Sequence, residues 1–165
     1  MKVYLASDHA GFKLKNQIIV WVKAMGHEAI DLGPFKYDPT DDYPDYIKLA
    51  AKEVAGDSEA RAIVLGSSGE GEAIVANRFP RVRAAVYYGG NREIIKLSRQ
   101  HNDANILSIG AHFINELEAK EMVELWLSVS FSGETRHVRR IHEIDQIMTE
   151  KWYKKLLRFK SFRRS

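Results

Sequence analysis

The sequence predicts an α/β fold: a parallel sheet with helices packed on both of its faces. Short, consecutively apolar runs alternate with stretches whose apolar residues recur at helical spacing. Such alternation implies βαβ units, and strands buried on both faces read as unbroken apolar runs. Glycine, proline or a capping residue punctuates the breaks between them. With 165 residues, one domain with a substantial core is the expectation.

Val3-Tyr4-Leu5-Ala6 reads as the first buried strand, and Leu14, Ile18, Val22 and Met25 then mark a helix that Gly26 ends. Ala29 to Leu32 is a second strand, followed by a loop from Gly33 to Asp42 that holds Pro34 and Pro39. Ile47, Ala50, Ala51 and Val54 face one way on the next helix, which closes near Gly56. Ala62-Ile63-Val64-Leu65 is strongly β-prone and stops at a glycine-rich loop, with a helix expected over Glu72 to Asn77. Ala84 to Tyr88 and Ile106 to Ile109 are further strands, separated by a helix around Ile94 to Arg99. Asn115, with Glu118 three residues on, opens a helix running to about Ser130 in the manner of a capping box. A last helix carries Ile141, Ile144, Met148 and Trp152 on one side. The count is five strands, so a three-layer, Rossmann-like sheet is expected, with its chemistry beyond the carboxyl ends of the strands.

Composition narrows the function classes. There are no cysteines, which removes disulfides, thiolate metal sites and a cysteine nucleophile, and fits a reducing compartment. No apolar run approaches ~20 residues, and the start at Met1-Lys2 fits no secretory signal, so a cytoplasmic protein without a membrane span is expected. The net charge is +3, yet seven basic residues lie between Lys151 and Ser165, and the remainder has 18 basic against 22 acidic side chains. A basic surface tracking nucleic acid across the fold is therefore not supported. Two regions are expected: residues 1–150 as the folded domain and 151–165 as a basic, aromatic helical extension.

The loop Gly66-Ser67-Ser68-Gly69-Glu70-Gly71 follows a strand and precedes a helix, so its amides can face an anion. It lacks the Gly-Lys-Ser/Thr of a nucleotide-binding P-loop, and Ser68 stands where a dinucleotide fingerprint needs its second glycine. A ligand-free tight turn is the alternative. Glu72, at the start of the following helix, is either a favourable charge on the helix dipole or a general base beside an oxyanion site. Glu70 competes for that second role. Asp8-His9 follows the first strand, His101-Asn102-Asp103 precedes the last, and Arg136, His137, Arg139 and Arg140 cluster at the entry to the final helix. Those cations make sense at a helix start if an anion sits there. The histidines show no metal-ligand spacing, so neither metal nor cofactor is expected.

Ser7 to Phe12, Asp42-Tyr43-Pro44-Asp45-Tyr46, Ala76-Asn77-Arg78, Ser98 to Asp103 and Gly133 to Arg140 together, in this order, resemble the B-type ribose-5-phosphate isomerases and their galactose- and allose-6-phosphate relatives. The resemblance spans residues 1 to about 148. It implies a metal-free aldose–ketose isomerase that converts ribose 5-phosphate to ribulose 5-phosphate through an enediolate. One branch of that family uses a cysteine base at the position of Gly66, whereas another places a glutamate where Glu72 stands, and this chain matches the second. The resemblance further implies that Ser68 positions substrate, that the amides of Ser67 to Gly71 (Ser67, Ser68, Gly69, Glu70 and Gly71) form the anion hole, and that His101, with Asn102 beside it, assists ring opening. Asp8 would bind sugar hydroxyls, and His9, Arg136 and Arg140 the phosphate. A homodimer or dimer of dimers with sites shared between subunits is implied too.

Some positions depart from the family pattern. Ser67 replaces a glycine, His112 an arginine, and the Tyr87–Ile95 segment is longer and lacks a Pro-Tyr pair. A hexose 6-phosphate or unphosphorylated sugar is thus the alternative substrate, and a non-catalytic sugar-phosphate sensor the alternative class. The tail aromatics Trp152, Tyr153, Phe159 and Phe162 are expected to extend a helix across a partner subunit rather than to bind nucleic acid.

Overall fold

A computed structural model describes residues 1–147. The strands are β1 (Lys2–Ser7), β2 (Glu28–Asp31), β3 (Arg61–Gly66), β4 (Ala84–Tyr87) and β5 (Ile106–Gly110). Helices α1 (Phe12–Ala24), α2 (Tyr43–Gly56), α3 (Glu70–Ala76) and α4 (Glu93–Gln100) link them in turn, and α5 (Glu116–Ser128) and α6 (Thr135–Ile147) follow. The sheet runs β2-β1-β3-β5-β4 with every pairing parallel, as the alternating pattern required.

The chain forms two compact units, Met1–Phe131 and a second from Ser132 onward. The first holds the sheet and α1 to α5. In the second, Arg136 of α6 pairs with Glu134 just before the helix at 2.8 Å, and Arg139 pairs with Glu143 within it at 3.7 Å. The expected boundary at residue 150, the contributions of Met148 and Trp152, and the basic tail 151–165 lie outside the described residues.

Alternation along each strand sends side chains to two separate cores. Val3, Leu5, Ile63, Leu65, Leu107 and Ile109 pack with Ile18, Val22, Ile95 and Trp126 of α1, α4 and α5. Tyr4, Ala6, Ala62, Val64 and Ile106 meet Ile47, Ala50, Val54 and Ala76 of α2 and α3 on the other face. Asn115 caps α5, its side chain accepting from the Glu118 amide at 2.9 Å. Glu118 directs its carboxylate to the Tyr87 hydroxyl at 2.8 Å, so a tertiary contact takes the place of the second capping-box bond.

Lys15 is fully buried on α1. Its ammonium pairs with Asp31 and donates to the Pro34 carbonyl at 2.9 Å, with the Phe12 and Phe35 rings 5.7 and 5.9 Å away. A buried ammonium needs such partners to offset its lost hydration. The consequence is a fixed start for the β2–α2 loop, which contributes to the site below.

Candidate active site

The chain leaves β1 for β2 on one side and places β3 on the other, so the crevice between the carboxyl ends of β1 and β3 is the topological switch point. Ser7 lies in register with Leu65, which brings the loop after β1 beside the glycine loop after β3. The Asp8 amide donates to Leu65 across that seam at 3.4 Å.

The glycine loop is stitched to the end of β5. Ala111 and His112 amides donate to Gly66 and Ser67 at 2.9 and 3.2 Å, and the buried Ser108 hydroxyl donates to the Gly69 carbonyl. Gly69 caps α3 at φ +80°, and a Cβ there would lie 3.0 Å from the Gly110 nitrogen, so both conformation and space demand glycine. Because the left-handed turn is complete at Gly69, α3 begins at Glu70, two residues before the start expected from sequence. Ser68 Oγ accepts from the Glu70 amide at 3.3 Å.

That start separates the two glutamates. Residues two apart on a helix point ~200° apart. Glu70 is accordingly exposed, whereas Glu72 turns inward and is only 3 % exposed. Its carboxylate occupies space beside Gly66 that no other residue type would leave open: a Cβ at position 66 would sit 1.9 Å from Glu72 Oε1. Glu72 Oε2 is buried and has no hydrogen-bond partner among the described residues. Burial pushes the carboxyl above the ordinary glutamate range, and Asp8 adds to the rise; the facing amides of Glu72 and Gly69 act in the opposite sense. The result is an unsatisfied, proton-avid oxygen at the mouth of an amide-lined loop, which is what a general base beside an oxyanion site requires.

Asp8 is 7 % exposed and accepts from the Ala10 and Gly11 amides at 2.9 and 3.3 Å, fixing the turn into α1. His9 is held from the β2–α2 loop: Asp41 Oδ1 takes its backbone amide at 2.9 Å and its Nδ1 at 2.7 Å. Asp41 raises the His9 pKa, burial opposes that, and Asp8 reinforces it. Sequence reading passes over Asp41, which lies 32 residues from its partner. It also gives no role to Tyr43, whose ring closes against Gly71. The run of aspartates before Tyr43 is the available signal for both.

His101 and Asn102 are not brought to this crevice within one chain. His101 caps the end of α4, and Arg83, just before β4, donates to the Asn102 carbonyl at 2.9 Å and to Asp103 Oδ2 at 2.9 Å. They therefore stand where β4 and β5 begin, while Glu72 stands where β3 and β5 end, about 13 Å of strand away. Arg136 and Arg140 are exposed on α6, in the second unit. Of the departures seen in sequence, two meet each other: Ser67 Oγ and His112 Nδ1 are 2.7 Å apart. The lengthened segment turns through Gly89 and Gly90, both at positive φ, and its Tyr88 ring meets Phe113 edge-on.

Known proteins share this sequence pattern and this fold. The ribose/galactose isomerase family model matches residues 3–144. The chain is similar to the ribose-5-phosphate isomerase B of Mycolicibacterium paratuberculosis, 43 % identical over 86 % of this chain and 87 % of that one. The Escherichia coli ribose-5-phosphate isomerase B is 36 % identical over 88 % and 95 %. Among solved structures, ribose-5-phosphate isomerase B from Mycoplasma genitalium with bound ribulose-5-phosphate superposes with a TM-score of 0.86 at 34 % identity, covering 90 % and 97 % of the two chains. The Clostridium thermocellum ribose-5-phosphate isomerase B gives 0.84 at 39 % identity over 93 % and 99 %.

Proposed function

The chain belongs to the ribose/galactose isomerase family, and from that premise we propose how it interconverts ribose 5-phosphate and ribulose 5-phosphate. The carrying observation is the Glu72 carboxylate, inward-facing against Gly66 with one oxygen unpartnered among the described residues. Glu72 takes the proton from carbon 2 of the open-chain aldose; the electron pair moves to the carbonyl oxygen and an enediolate forms. The carbon-2 hydroxyl proton passes to the carbon-1 oxyanion, and the same carboxyl returns its proton to carbon 1 as the carbon-2 carbonyl forms, leaving the ketose. Amides of the loop from Ser67 to Gly71 face the developing oxyanion, where fixed dipoles need no reorganisation. Ser68 and Asp8 position the sugar hydroxyls, and His9, Arg136 and Arg140 bind the phosphate. This route needs only side chains and amides. The cysteine-free sequence fits a reducing cytoplasm.

Ribose 5-phosphate is expected to turn over fastest in a panel of pentoses and hexoses, phosphorylated and not, run in deuterated water. The Ser67–His112 pair favours testing hexose 6-phosphates as the second reading. Binding with neither turnover nor exchange at carbon 2 would make the protein a sensor instead.

Ring opening is assigned to His101, with Asn102 beside it as a substrate-binding residue, from a second copy of the chain. The support is geometric: one chain holds His101 and Glu72 at opposite ends of its sheet. Co-expressed Glu72→Gln and His101→Ala chains should form hybrid dimers that regain activity, because one shared site then has both residues. Mixtures no more active than either parent on cyclic substrate would reject the shared site.

A further inference from the structure

We propose that Asp41 is a positioning residue for the phosphoryl group, acting through His9: it locks the imidazole so that Nε2 is the nitrogen left for the ligand and keeps that ring cationic. The inference rests on the isomerase reading above and extends it to a residue that no motif carries. Asp41 meets His9 twice through one oxygen, at 2.9 and 2.7 Å. Its side chain is 5 % exposed against 36 % for His9, so the carboxylate lies behind the ring and the ring lies toward solvent. The other oxygen, Oδ2, is buried without a hydrogen-bond partner among the described residues. A buried carboxylate with half its acceptor capacity unused is costly unless the group it does touch is charged. A protonated imidazole meets that need and makes the contact charge-assisted. The loop bearing Asp41 is anchored at its start by Lys15, through Asp31 and Pro34.

Three carboxylates face His9: Asp8 from the end of β1, and Asp38 and Asp41 from the β2–α2 loop. Asp8 is tied to the Ala10 and Gly11 amides, and Asp38 to the Thr40 amide and hydroxyl at 2.9 and 2.7 Å. Asp41 is the one in direct contact with the ring. The Asp41 hydrogen bond is the largest influence favouring the imidazolium, burial opposes it, and the Asp8 charge reinforces it. His9 then carries its charge to a higher pH than an ordinary histidine, and its hold on an anion fails as pH rises through that elevated midpoint. Asp41→Asn keeps the shape and removes the charge, so the midpoint falls and the hold is lost at lower pH.

The test is a pH series on the full chain, wild type and Asp41→Asn. It would read the His9 imidazole by nitrogen NMR, assigned with His9→Gln, together with KM for ribose 5-phosphate and Ki for inorganic phosphate. The expected result is a lower His9 midpoint in the variant. KM and Ki should rise about tenfold at pH values between the two midpoints, the scale of a lost charge-assisted bond, and converge with wild type below both, with kcat unchanged. An unchanged midpoint, or a fall in kcat at every pH, overturns the proposal. Should Asp41→Asn fail to fold, the wild-type titration decides it: a His9 midpoint no higher than that of an exposed histidine refutes the role. Wild-type protein that turned over no ribose 5-phosphate would refute the isomerase reading, while the imidazole midpoint and its shift on adding inorganic phosphate would still report on Asp41.

Discussion

Glu72→Gln is expected to lower kcat by about 10³-fold or more, the scale of a removed general base, with KM for ribose 5-phosphate little changed. Glutamine keeps the length and planarity of the side chain, so the pocket against Gly66 stays filled while the proton acceptor is gone. The pH profile carries a second signature. Burial raises the Glu72 pKa, and the base works only when ionised. The acidic limb of kcat/KM should therefore lie above the ordinary glutamate range. Stability moves the other way. A carboxyl whose pKa is raised by folding stabilises most below its unfolded pKa, and that contribution is lost as pH rises through the folded value. Above that folded value the wild type carries a buried, half-satisfied anion, and Glu72→Gln should melt at a higher temperature there. Thermal melts at pH 5 and pH 8 check this: the advantage of the variant should shrink at pH 5. Substantial residual turnover would reject Glu72 as the base.

Gly66→Ala is the second large effect. The added methyl would fall 1.9 Å from Glu72 Oε1 and 2.2 Å from its Cδ, and the three nearest atoms it meets all belong to that one side chain. The backbone of β3 need not move, so the protein should fold with a melting temperature near wild type. Glu72, however, must leave its position, and displacement of a reacting group by about 1 Å costs on the order of 10²-fold. The expected outcome is a loss of kcat on that scale with substrate binding retained, measured as separate kcat and KM. Wild-type kcat would show that the carboxylate works from another rotamer. The same geometry explains why a residue with a side chain at position 66 and an inward glutamate at position 72 exclude each other. A cysteine base at 66 and the Glu72 carboxylate would occupy one region of space, so a family can use either and needs only one.

Much of this is legible in the chain. Val3 to Ala6, Ala62 to Leu65 and Ile106 to Ile109 read as doubly buried strands because unbroken apolar runs have few other uses, and each is a strand. The loop from Gly66 and the acidic pair after it stand out because few sequences need so many small residues beside carboxylates. The placement of His101 is also accessible in principle. It precedes a strand, and in a parallel sheet a residue before a strand and one after a strand lie at opposite ends. The resemblance implies a role for it beside Glu72, and the shared site proposed above reconciles that role with its position.

By itself the sequence determined the order of strands and helices, the parallel sheet and the loop where chemistry gathers, because these follow from local periodicity and turn chemistry within a few residues. Only the tertiary structure decided which glutamate faces inward, that Gly66 leaves room for its carboxylate, and that Asp41 holds His9. Those facts depend on where the left-handed turn at Gly69 starts α3, and on groups far apart in sequence meeting across a crossover. No local pattern records such a distance.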